Sequence, residues 1–88
     1  MPENPRIDVI NFVGNITKET IEALLENDAF TDRSNKVVIR LSSKGGSIGY
    51  AKCAYRCLRD HEHLTIYNIG SVESSAMLLY LAAKTSTP

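Results

Sequence analysis

Two hydrophobic rhythms alternate along this chain. Residues 6–14, RIDVINFVG, are β-branched and aromatic up to a closing glycine, which predicts a strand. Thr17 is placed to cap a helix running to about Asn27, with Ile21, Leu24 and Leu25 on one face. TDRSN, residues 31–35, reads as a loop. KVVIRL, residues 36–41, is a nearly continuous apolar run, the pattern of a strand covered on both faces. From Ser47 to about Asp60 the period becomes helical, with Ile48, Ala51, Tyr55 and Leu58 in one stripe and Lys52, Arg56 and Arg59 opposite. HLTIYNIG, 63–70, predicts another strand, and SSAMLLYLAAK, 74–84, a helix apolar almost all round.

Strand and helix therefore alternate three times with short connections. That order predicts an α/β fold of repeated β-α-β units, with a mainly parallel sheet and right-handed crossovers. The chain is expected to form one domain over 1–88, with loose polar tails at 1–5 and 85–88. A helix apolar on every side needs cover on every side. Three strands and two helices supply only part of it, so the pattern implies an incomplete fold or an oligomer.

Composition narrows the function. Ten basic and ten acidic residues give a net charge of zero, which argues against a nucleic-acid surface. No apolar run approaches the roughly 18 residues of a membrane span, and no basic-then-apolar leader is visible. A soluble cytoplasmic protein is the expectation. Asn15-Ile16-Thr17 fits a glycosylation sequon and reads as chance in that setting. Cys53, Cys57 and His61 are spaced i, i+4, i+8, but three donors fall short of a tetrahedral site, so no metal and no cofactor are expected. Cys53 and Cys57 join Tyr50 in a weakly apolar second stripe.

The candidate chemistry lies where parallel sheets carry it, beyond the carboxyl ends of the strands. SSKGGS (42–47) and GSVESS (70–75) both fall at that edge and are expected to be neighbours. The glycine pair fits neither dinucleotide nor P-loop spacing. Glycine serves a tight turn in any case. A serine opening a helix opposite a glycine turn also has the parts of acyl chemistry, with a hydroxyl to attack and backbone amides to receive the oxyanion.

SSKGGSIGYAKCAYRCL followed by IGSVESSAMLLYLAA resembles the core of the ClpP peptidase family, within the larger ClpP/crotonase fold. That family has an N-S-P-G-G-[SV] turn, a helix, a strand, and then a serine opening S-M-A-F-L-L-A-A. FVGNIT is similar to the family's first strand and turn, and the resemblance runs over residues 7–86. It implies Ser75 as nucleophile, with Ser74 as the competing position, and the Gly46 and Ala76 amides as oxyanion hole. Gly45, Ser47 and Ile48 are the implied substrate-binding positions. It places the histidine and aspartate of the triad beyond Pro88. It further implies a polypeptide substrate, a homo-oligomeric ring and an ATP-dependent unfoldase as partner.

The sequence departs from the family at Lys44, in place of proline, and at Glu73, in place of a small residue. His61 and His63 precede the third strand and so lie at the opposite edge, on the order of 20 Å from the serines. A general base must lie within about 3 Å of the proton it takes. Both histidines are expected to be surface loop residues. Lys44 in a Ser–Lys dyad is physically conceivable, but solvated side chains are the simpler expectation for Lys44 and Glu73. Two further readings stand beside the peptidase: a catalytically inactive ClpP-like assembly module, and a crotonase-type acyl-CoA enzyme, which shares the paired-amide oxyanion hole.

Overall fold

The computed structural model describes residues 7–29 and 36–87. In chain order the elements are β1 (Ile7–Val13), α1 (Lys18–Ala29), β2 (Lys36–Ser43), α2 (Ile48–Leu58), β3 (Leu64–Val72), α3 (Ala76–Leu81) and β4 (Thr85–Thr87). The strands form one sheet in the order β1-β2-β3-β4, with every neighbouring pair parallel. The parallel α/β fold anticipated from the element order is the one the chain adopts. The loop expected at 31–35 and the tail expected at 1–5 lie outside the described residues.

Helices α1 and α2 start where side chains can take up their free amides. Thr17 Oγ1 accepts the Thr20 N–H at 3.1 Å and Thr20 Oγ1 accepts the Thr17 N–H at 2.8 Å, a reciprocal cap on α1. Ser47 does the same for α2, accepting from Tyr50 N–H at 3.2 Å. The core then forms between the helices and one face of the sheet. Ile10 and Phe12 of β1, Val37, Ile39 and Leu41 of β2, and Leu64 and Ile66 of β3 are buried against Ile21, Leu24, Ala51, Ala54, Leu58 and Leu79. Full burial of each large aliphatic side chain contributes about 2 kcal/mol. Ala51 and Ala54, both without exposed surface, let α2 lie close to the strands.

Three expectations are corrected. β2 is covered on one face only: Val37, Ile39, Leu41 and Ser43 point inward, while Lys36 and Arg40 are exposed and Val38 is half-buried. The apolar run misled because the outer sheet face also carries apolar side chains, with Ile7, Val9, Val13, Tyr67 and Ile69 all exposed. The last helix is six residues long rather than eleven. Ala82 N–H and Ala83 N–H bond back to Leu79 O and Tyr80 O, an i→i+3 tightening that ends it. Lys84 N–H then reaches Leu64 O at 3.0 Å, and the segment expected to be a tail at 85–88 is a strand over Thr85–Thr87, paired with Thr65–Tyr67.

No helix is long and apolar enough to cross a membrane among the described residues.

Candidate functional site

Three loops follow the carboxyl ends of β1, β2 and β3, and backbone hydrogen bonds knit them into a seam. Gly14 N–H donates to Ser42 O at 3.0 Å. Ile16 N–H donates to Gly45 O, and Ser47 N–H returns to Ile16 O, each at 2.9 Å, so that Ile16 and Gly46 form a short parallel bridge. Glu73 N–H donates to Ser43 O at 3.0 Å. The two serine-and-glycine stretches are thus neighbours, as the parallel topology requires.

The glycine pair is demanded by both conformation and space. Gly45 and Gly46 have φ of +103° and +148°, where L side chains are strained. A Cβ on Gly45 would stand 2.8 Å from Ser74 Cβ and 3.0 Å from Glu73 O. A Cβ on Gly46 would overlap the Ile16 carbonyl. Ser43, buried beneath the turn, accepts the Gly45 N–H at 3.1 Å.

The two candidate serines have different surroundings. Ser75 is 6% exposed, and its hydroxyl closes on Gly46, accepting from N–H at 2.9 Å and donating to O at 3.2 Å. Ser74 is exposed and holds φ +54°, the one non-glycine positive φ among the described residues. A side chain held in that strained region, on a turn between a strand and a helix, projects out of the chain's path. Both amides assigned from the sequence to an oxyanion hole around Ser75 are engaged: Gly46 N–H with Ser75 Oγ, and Ala76 N–H with Glu73 O at 3.0 Å. Ile48, exposed in the first turn of α2, and half-buried Ser47 flank the glycine turn. Lys44 and Glu73 are both exposed.

The histidines stand at the far edge. Val37 N–H bonds to His63 O there, so the length of β3, about 25 Å at some 3.3 Å per residue, separates them from the serines. His63 is exposed, as expected. His61 is not a surface residue: it is fully buried, and its Nε2 pairs with the carboxylate of Asp28 at the end of α1. Its Nδ1 has no partner. Asp28 was missed as a core residue because it is charged. The signal was positional, since Ile21, Leu24 and Asp28 repeat the spacing of Ala51, Ala54 and Leu58. Turned inward, His61 does not join Cys53 and Cys57, and no group of three metal-ligating side chains exists among the described residues.

No protein-family model matches this chain, and no curated protein matches it. Solved structures do. The ClpP protease catalytic domain from Plasmodium falciparum is similar with a TM-score of 0.78 at 23% identity, over 86% of this chain and 45% of that one. ClpP1 from Listeria monocytogenes is similar with a TM-score of 0.72 at 21% identity, over 85% of this chain and 46% of that one. An N165D mutant of the same Listeria protein gives the same values. The fold is that of a ClpP-type peptidase. The chain spans less than half the length of these structures.

Proposed function

We propose that this chain carries the nucleophile of a ClpP-type serine peptidase, and that Ser74 is that nucleophile. The observation that carries the reading is the contrast between exposed Ser74, at φ +54° against Gly45, and buried Ser75, bonded to Gly46. Ser74 Oγ attacks the scissile carbonyl and forms the acyl-enzyme ester, its proton passing through a base to the leaving amine. Water then hydrolyses the ester. The oxyanion is received by the N–H of Ser75, the residue after the nucleophile, and by the N–H of Gly46. Ser75 Oγ now occupies the second donor, so a substrate oxygen displaces it there, leaving Ser75 to hold the glycine turn in the resting state. The base and its carboxylate partner come from polypeptide outside the described residues, because His61 and His63 are at the wrong edge.

On this reading the substrate is an unfolded polypeptide and the chain works in a cytoplasmic homo-oligomeric ring. Exposed Met77 and Leu81 on α3 support assembly through that helix. The exposed Ile7, Val9, Val13, Tyr67 and Ile69 of the outer sheet face support a protein partner such as an ATP-driven unfoldase.

Labelling of the natural gene product with a fluorophosphonate, followed by peptide mass spectrometry, tests the assignment. The expected adduct is on Ser74. Ser74→Ala should abolish labelling with little change in stability. Ser75→Ala should keep Ser74 in place but cost about 1 kcal/mol through the lost Gly46 bonds. An adduct on Ser75 would reverse the assignment. No adduct at all would leave the assembly-module reading, and binding of a CoA thioester in that case would point to crotonase chemistry.

A further inference from the structure

Helices α1 and α2 are neighbours in one layer, and they present matching outward faces of opposite charge. The buried stripe Ile21, Leu24 and Asp28 on α1 corresponds one for one with Ala51, Ala54 and Leu58 on α2. Helical positions fixed relative to those stripes therefore correspond too. Glu22 on α1 stands where Lys52 stands on α2, Glu26 where Arg56 stands, and Ala23 where Cys53 stands. All six are exposed. Among the described residues Glu26, Lys52 and Arg56 form no ion pair, and Glu22 meets only Lys18, at 4.0 Å with both side chains more than half exposed. Each helix thus shows a small central residue, alanine or cysteine, flanked by two charges of one sign, with Lys18 beside Glu22 in the first turn of α1.

We infer that this face binds a second copy of the chain, as a two-fold dimer in which α1 of each copy lies on α2 of the other. A two-fold axis parallel to the helices, running between them, superposes acidic α1 on the partner's basic α2 at both ends of the interface. One patch thereby complements itself, the requirement of an isologous contact. An axis across the helices instead sets like charges against each other and is disfavoured. The zero net charge of the chain removes the long-range repulsion that would oppose the encounter. Ala23 and Cys53 lack long side chains, so the two backbones approach closely at the centre. The inference does not depend on the peptidase reading, and catalysis need not occur for it to hold.

Sedimentation of the full chain, under reducing conditions, supplies the test. The wild type is expected to dimerise, with affinity falling at least about tenfold as salt rises from about 50 mM to about 500 mM. Glu22→Lys with Glu26→Lys makes the face all basic, and Lys52→Glu with Arg56→Glu makes it all acidic. Each variant alone should lose dimerisation by at least about 100-fold. An equimolar mixture of the two should form a heterodimer, and the chain carrying all four substitutions should dimerise like the wild type. Far-UV circular dichroism separates misfolding from dissociation. As an independent reading, Ala23→Cys should give an intermolecular disulfide with native Cys53 on oxidation, seen as a dimer band without reductant. A monomeric wild type at low salt, variants that dimerise undiminished, or a mixture that stays monomeric would each overturn the proposal.

Discussion

Gly46→Ala is expected to destabilise the protein by about 3 kcal/mol, through two costs that add at one residue. In a domain of this size that is on the order of 15 °C in Tm. The first cost is conformational, since φ +148° is a region that alanine enters only under strain. The second is steric. The new methyl would overlap the Ile16 carbonyl, which is backbone and cannot rotate aside. Relief requires opening the Ile16–Gly46 bridge, and with it the two 2.9 Å bonds from Ile16 N–H to Gly45 O and from Ser47 N–H to Ile16 O. Gly14→Ala is the internal control: φ is +131° but nothing lies within 4 Å of the added carbon, so only the conformational cost applies, about 1 kcal/mol. Thermal unfolding of both variants checks the difference. Equal losses would show that backbone strain alone governs the turn.

His61→Leu is expected to cost a further large amount, about 3–5 kcal/mol, without touching the site. The imidazole is fully buried and Asp28 nearly so, and they tie the end of α1 to the turn that enters β3. Removing the imidazole strips a buried carboxylate of a close partner, and leucine offers nothing in exchange. The double variant Asp28→Leu, His61→Leu should recover part of that loss, because both polar groups leave the core together. Urea unfolding gives both values from the shift of the midpoint at constant slope. A loss below about 1 kcal/mol for the single variant would mean that water reaches Asp28 once the ring is gone.

Much of this fold was legible because local signals agreed with the tertiary outcome. Thr17 announces a helix start by its cap, which forms, and the change of period at Ser47 marks the start of α2. β1 and β3 were visible as β-branched runs, each placed within two residues of its observed ends. Illegible features were those fixed by distant partners. Nothing local distinguishes a β2 buried on both faces from one whose outer apolar face is bare. The end of α3 is set by i→i+3 bonds and by the free edge of β3, and no glycine or proline marks it. His61 looked exposed because it follows a helix in a short polar connection, and only the position of Asp28 on α1 draws it inward.

The site was legible in location and not in detail. Topology alone brought Gly45, Gly46, Ser74 and Ser75 to one edge. The difference between the adjacent serines, Ser74 exposed at φ +54° and Ser75 buried against Gly46, is set by the local backbone where the β3 loop packs on the glycine turn. No residue-level pattern encodes it.

The seam that joins the loops after β1, β2 and β3 bears on when the site comes into being during folding. Its bonds run from Gly14 to Ser42, from Ile16 to Gly45 and from Gly46 to Ser75, each between segments far apart in the chain. The first two need β1 and β2 in register and the third needs β2 and β3, so the seam is complete only when all three parallel strands are paired. A chain caught part-way, with one strand unpaired, therefore holds only part of the seam. Completion of the seam is thereby coupled to completion of the sheet.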